Sequence, residues 1–273
     1  MIKDITIGQY YAVDSPIHRL DPRVKLVGTV LFIVSLFVAE GVFGYLAAAG
    51  ALAFVIHMSR VPFRFMTRGL KSILIIMLIS VSFNIFFTEG TPVADVLILR
   101  SMTWEGLEKA VYMAIRLIML ILGSTIMTLT TTPNALTDGL EKGLGFLKKL
   151  HVPVHELAMM MSIALRFIPI LIEETDKIMK AQTARGADFE SGGIIRRIKA
   201  MVPLLIPLFI SAFRRAADLA LAMEARCYHG DANRTKMKPL RYEHCDRGAY
   251  GCMAAYLVLI LILKFVWKGW IAG

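Results

Sequence analysis

"LVGTVLFIVSLFVAEGVFGYLAAAGALAFVIHM" runs from Leu26 to Met58, and Glu40 is the one formal charge in it. As one straight helix this stretch would be about 50 Å long, against a hydrocarbon core of about 30 Å. The chain therefore has to break and return. The acid followed by glycine at Glu40-Gly41 marks the break, giving two short spans, Leu26–Ala39 and Val42–Met58. That reading makes the protein an all-α integral membrane protein. The composition agrees with it: 56% of the 273 residues are hydrophobic and the mean hydropathy is +0.62, whereas soluble domains average about 45–50% apolar.

Outward from this stretch, further apolar runs occupy Ser72–Phe87, Ala110–Leu129 and Ala249–Trp267. About five transmembrane helices are expected in all, with Lys264 and Lys268 reaching toward the interface beside Trp267 and Trp270. The N-terminal stretch is polar and lacks the short apolar core and cleavage site of a secretory signal, so no removal is expected. Cys227, Cys245 and Cys252 make no disulfide framework, and an odd count suits a reducing compartment.

Loop charges orient the spans. Lys3, Arg19, Arg23 and Lys25 precede the first, and none separates the first from the second. Arg60, Arg64, Arg68 and Lys71 follow the second. Between the third and fourth, Arg100 and Lys109 face Glu89, Asp95, Glu105 and Glu108. By the positive-inside rule the N-terminus is cytoplasmic, and the C-terminus lies outside. The predicted organisation is a cytoplasmic segment 1–25, four spans within 26–131, cytoplasmic or interfacial helices over 132–248, and the last span and C-terminus over 249–273.

The segment 132–248 begins with Thr132 as helix N-cap and Pro133 at the first helical position, where a missing N–H costs nothing. Leu136, Leu140, Leu144 and Leu147 put one apolar stripe on a short helix. Two longer helices follow, of matching plan. "FIPILI" at Phe167–Ile172 answers "LIPLFI" at Leu205–Ile210, each in an apolar first half. Pro169, Pro203 and Pro207 are expected to kink them. Charges bound both apolar halves closely, so neither helix is expected to span the bilayer. Each ends in a small-residue arginine triplet: Ala184-Arg185-Gly186, and Ala225-Arg226-Cys227. A basic last turn followed by glycine is a common helix stop. Repetition at corresponding ends argues for more. Arginine offers a planar five-donor tip for carboxylates, and small neighbours let it enter a groove. Two such tips imply two acidic grooves on partners.

Other chemistry is thin. The phosphate-binding pattern G-x-x-x-x-G-K-[ST] is missing; "GLEKGLGF" lacks the Lys-Ser/Thr ending. Cys227, His229, His244 and Cys245 include zinc-ligand types, but not in zinc-site spacing. No catalytic constellation stands out, and no resident metal or cofactor is expected. Arg116 lies inside the fourth span, where charge is costly; a function there and snorkelling toward Trp104–Lys109 stand as equal alternatives.

Several stretches in order, "DSPIHRLDPRVKL" (Asp14–Leu26), "TTPNALTDGLEK" ending at Lys142, "VPVHELAMMMSIALRFIPIL" (Val152–Leu171), "AQTARGADF" and "AMEARCYHG", resemble the transmembrane T components of energy-coupling factor transporters, relatives of the ATP-binding-cassette systems. The resemblance implies a non-catalytic cell-membrane subunit that joins two ATP-binding-cassette ATPases to a substrate-binding membrane S component, for uptake of vitamins or other micronutrients. It implies that Ala184, Arg185, Gly186, Ala225, Arg226 and Cys227 dock into the ATPases. Cys227 departs from the family's glycine, which puts the tight turn there in question. Alternatives within reach are a dedicated cobalt or nickel uptake component and a stand-alone secondary transporter. No nucleic-acid partner is implied.

Overall fold

A computed structural model describes residues 10–88, 103–187, 189, 193–228, 230, 237 and 239–272. Lys3, Glu89, Asp95, Arg100 and His229, which figured in the sequence reading, lie outside them. Among the described residues the structure is helical, with no strand. The helices are α1 (Pro16–Arg19), α2 (Pro22–Val38), α3 (Gly41–Ser59), α4 (Phe63–Phe87), α5 (Trp104–Thr130), α6 (Pro133–Gly143), α7 (Val154–Ala184), α8 (Ile194–Ala225) and α9 (His244–Ala272), with a 3-10 turn at Gly145–Leu150 between α6 and α7. The chain divides into two compact units: Gly8–Gly139 with Leu240–Gly273, and Leu140–Pro239.

Local chemistry sets the helix ends of the first unit. Asp21 caps α2 by accepting from the Arg23 N–H, with Pro22 at the first turn. Thr103 caps α5 through the Gly106 N–H at 3.1 Å. The break between α2 and α3 falls at Ala39-Glu40-Gly41. Gly41 holds φ +70°, and a Cβ there would press into the Trp267 ring at 2.2 Å. Only glycine satisfies both demands. The apolar centre joins Leu36 of α2, Tyr45, Ala48 and Leu52 of α3, Met66 of α4, Met119, Leu122 and Ile126 of α5, and Ile260 of α9.

Side-chain contacts give the directions of these helices. Along α2 and α9 the pairs run in step: Gly28 against Met253, Ser35 Oγ 2.7 Å from Tyr256 Oη, and Glu40 3.1 Å from Lys264. These two helices are parallel. The Lys25 Nζ donates to the Thr130 carbonyl at 2.9 Å, whereas the Arg116 guanidinium lies over the Phe37 ring, so α5 runs against α2. Gly69 faces Thr125 and Gly106 faces the Asn84 carbonyl, so α4 runs against α5. The starts of α2, α4 and α9 thus share one end of the unit with the finishes of α3 and α5. Gly139 packs on Pro22 at that same end. The chain therefore leaves for Leu140–Pro239 and rejoins at the start of α9 on one face.

Buried polar groups knot that end together. The Asp246 carboxylate, 2% exposed, accepts from the backbone N–H of Asp21 at 2.9 Å and of Glu243 at 2.8 Å. The Lys25 ammonium spans the carbonyls of His18 and Thr130. The Tyr11 N–H donates to the Leu129 carbonyl at 2.9 Å, tying the N-terminal strap to the end of α5.

Five helices are long and apolar enough to cross a membrane, but they are not the five expected. They are α3, α5, α7, Ile198–Ala225 of α8, and His244–Trp267 of α9. Helix α2 has 17 residues, and the apolar part of α4 is the short piece Ile73–Phe86. Helices α7 and α8 were expected to be too short. Arg166, Glu173 and Arg214 do not interrupt them, because a charge costs a helix nothing where its side chain reaches water. Neither does proline: Pro169, Pro203 and Pro207 all lie inside continuous helix. The apolar stripe from Leu136 is also split, since α6 stops at Gly143 and the 3-10 turn follows. Thr132 caps α6 as expected, its hydroxyl accepting from the Ala135 N–H at 3.3 Å.

Candidate functional site

Helices α7 and α8 end in the same way. At the end of α7 the Gly186 N–H donates to the Thr183 carbonyl at 2.9 Å, and the Ala187 N–H to Gln182 at 3.0 Å. At the end of α8 the Cys227 N–H donates to Glu224 at 2.9 Å, and the Tyr228 N–H to Met223 at 3.0 Å. This paired pattern is the Schellman cap, which needs a left-handed residue just past the helix. Gly186 fills that position at φ 90° and Cys227 at φ 55°. The turn questioned in the sequence is therefore present without glycine. Left-handed backbone costs an L residue roughly 1–2 kcal/mol. Replacing Cys227 with glycine is expected to steady this end by about 1 kcal/mol. The check is slower hydrogen exchange at the Tyr228 amide, with Cys227→Val giving the opposite change.

The cap fixes what precedes it. Arg185 (φ −86°, ψ 4°) and Arg226 (φ −95°, ψ 15°) occupy the same C-cap position. Ala184, Arg185, Gly186, Ala225, Arg226 and Cys227 are all exposed. Among the described residues neither guanidinium makes a hydrogen bond or ion pair. Alanine on one side and a turn on the other leave each guanidinium clear of neighbouring bulk.

The two helices also touch at matched positions. Arg215 Nη2 donates to Glu174 Oε2 at 3.2 Å, across 41 residues of sequence. The two arginine tips are separated by the same interval. Each member of the pair stands eleven residues before its own helix's tip, about 16 Å at 1.5 Å per residue. The repeated triplets stand out in the sequence; this pair does not, although it shares their 41-residue interval.

Large apolar side chains stand exposed on the same helices, including Leu157, Met160 and Met161 on α7 and Ile206, Phe209 and Phe213 on α8. Among the described residues no three His, Cys, Asp or Glu could hold a metal; His229, weighed for zinc in the sequence, lies outside them. The three cysteines are exposed and form no disulfide. His155 Nδ1 lies 3.0 Å from Glu141 Oε1.

A family model described as CbiQ, cobalt transport protein, matches residues 14–237. The chain belongs to this family. Its relatives include proteins named energy-coupling factor transporter transmembrane protein EcfT. That of Clostridium kluyveri is 52% identical over 98% of this chain and 100% of its own length. That of Thermosediminibacter oceani is 49% identical over 97% and 100%. That of Bacillus subtilis is 46% identical over 97% and 100%. Membership makes this chain a multi-pass membrane component of a transport system. The matched stretch takes in both arginine-ended helices and stops before α9.

Proposed function

We propose that this chain is the membrane coupling subunit of an energy-coupling factor importer, turning ATP-driven motion of two ATPases into reorientation of a substrate-binding S component. The observation that carries it is the duplicate: two helices with one cap, one exposed arginine at one station, and an ion pair at one matched depth. A device with two equivalent heads fits two equivalent sockets, and an arginine fork fits a carboxylate-lined one. When the ATPases close on ATP, the heads shift relative to each other, and the contact at Glu174 and Arg215 passes the motion to the apolar halves. Those exposed apolar faces are the surface for the S component.

The end of the bundle shared by Pro22, Thr130 and His244 is assigned to the cytoplasm, because the Lys and Arg of the loops gather there. The parallel course of α2 and α9 supports an external C-terminus. Residues 1–25 and 132–248 then form the cytoplasmic or interfacial parts around spans in 26–131 and 249–273. ATP hydrolysis belongs to the partners. The family description names cobalt, while the relatives' names specify no cargo; cargo choice resides in the S component.

Reconstitution tests this. Liposomes holding the chain, the ATPase pair and an S component are expected to take up substrate only with ATP and all components. Uptake by this chain alone would establish a secondary carrier instead.

A further inference from the structure

Among the described residues Arg116 has no counter-ion. Its Nε and Nη2 both donate to one neutral acceptor, the Tyr45 phenol, at 2.9 and 2.6 Å. The guanidinium also lies over the Phe37 and Tyr45 rings. Aromatic faces and a phenol steady a cation without neutralising it. An arginine within a span ordinarily pairs with an acid or a carbonyl, and among the described residues no carboxylate reaches this one.

Arg116 lines an open recess of about 350 Å³ together with Glu40, Tyr45, Asn84, Lys109 and Tyr112. Lys109 and Arg116 are seven residues apart, two helical turns, so both project from one face of α5 into that space. The recess holds one acid, Glu40, and Lys264 occupies it at 3.1 Å. Among the described residues, two cations therefore face the cavity unbalanced. The cavity sits at the end of the bundle opposite the starts of α2, α4 and α9, beside the α2–α3 break. Because α2 is short, its end falls level with Arg116, well below the start of α5.

We infer that this recess binds a phosphate group, held by the remaining N–H donors of Arg116 and by the Lys109 ammonium. Phosphate matches a fork of parallel N–H donors and a nearby point charge. At this depth the bilayer itself supplies it, as the headgroup phosphate of a phospholipid drawn into the notch over the short α2. Glu105 and Glu108 line a separate groove on the far side of Tyr45 and Tyr112, together with Trp104 and Ile115. They do not line the recess. This site does not depend on which face is cytoplasmic or on the coupling role.

The test is ligand-induced thermal stabilisation of the delipidated full-length chain in detergent. Each variant is compared with its own unliganded midpoint, so a change in basal stability does not enter. The probes are short-chain phosphatidylglycerol, a short-chain diacylglycerol without phosphate, and inorganic phosphate. Phosphatidylglycerol is expected to raise the wild-type midpoint, with its affinity reduced roughly 10-fold or more in Arg116→Gln and roughly 3-fold in Lys109→Gln. Arg116→Lys should fall between. A response to both phosphatidylglycerol and inorganic phosphate, lost in the variants, identifies a phosphate site open to either source; a response to the lipid alone identifies the headgroup as the source. Equal stabilisation by the phosphate-free lipid, or an undiminished response in both glutamine variants, overturns the assignment.

Discussion

Replacing Arg185 and Arg226 together with glutamate is expected to release both ATPases from this subunit. Each arginine is exposed and, among the described residues, makes no side-chain hydrogen bond or ion pair, at the last station of a helix whose cap is made by backbone groups. The helix ends do not need the guanidinium. A glutamate at a helix C-terminus opposes the macrodipole at a cost of about 0.3–1 kcal/mol, too little to unfold a helix of over thirty residues. The effect on binding is of another size. Removing one member of a buried, hydrogen-bonded charge pair costs about 2–5 kcal/mol, and reversal adds repulsion. At about 1.4 kcal/mol per decade, each head should weaken binding about 30-fold or more. Two heads in two sockets make the losses additive, so the double variant should retain neither ATPase on a tag carried by this chain. Arg185→Lys should be intermediate, keeping the charge and losing the fork. Both ATPases co-purifying undiminished with the double variant, with uptake intact, would sink the docking scheme.

The arginine heads could be read from sequence because their signal is local: a triplet at a helix end, repeated. The break at Glu40-Gly41 was legible for the same kind of reason, since length sets a limit on an uncharged helix. Other features come from residues far apart in the chain. Asp246 had no mark in the sequence; only the fold brings its carboxylate to Asp21, 225 residues away. Lys264 pairs with Glu40, 224 residues away, and nothing in the sequence marks that partner. Helix α4 begins at Phe63, nine residues before the apolar run. Arg64 rides on its exposed first turn, because helix continuity does not require an apolar side chain at every position. The lengths of α7 and α8 were misjudged from their charges, which end an apolar window but not a helix. Cys227 shows the limit of the glycine rule: where cap hydrogen bonds are complete, they hold another residue left-handed.

Asp246→Ala is expected to be the most destabilising single change in the bundle. The carboxylate fills the reciprocal half of a capping box, accepting from the Glu243 N–H three residues back, and its other oxygen holds the Asp21 N–H. Asp21 in turn caps α2. One side chain thus locks the starts of two parallel helices. Alanine leaves the buried Asp21 N–H without an acceptor, at about 1–3 kcal/mol, and frees the part-buried Glu243 N–H, which water can reach at smaller cost. It also removes an anion facing Lys25. Burial holds the Lys25 ammonium down to about 8, against the raising influence of Asp21 and Asp246. Both Lys25 and Asp246 stand ahead of the apolar spans that begin at Leu26 and Ala249. The loss should total about 3–5 kcal/mol. At roughly 2–4 °C per kcal/mol, that lowers the unfolding midpoint by about 10 °C. Asp246→Asn retains one acceptor and should lose about half as much. The pH dependence has a definite sign. Lys25 binds its proton more weakly folded than unfolded, so the unfolded state holds more protons between about pH 8 and 10.5, and wild-type stability from this group rises across that window. In Asp246→Ala the folded pKa falls further. The deficit is therefore largest near pH 7, where Lys25 carries charge, and shrinks above pH 8 to the hydrogen-bond part alone. Tryptophan fluorescence melts of both variants at pH 7 and pH 9.5 would read this. A deficit that does not change with pH would remove Lys25 from the account, and an alanine variant as stable as wild type would remove the lock itself.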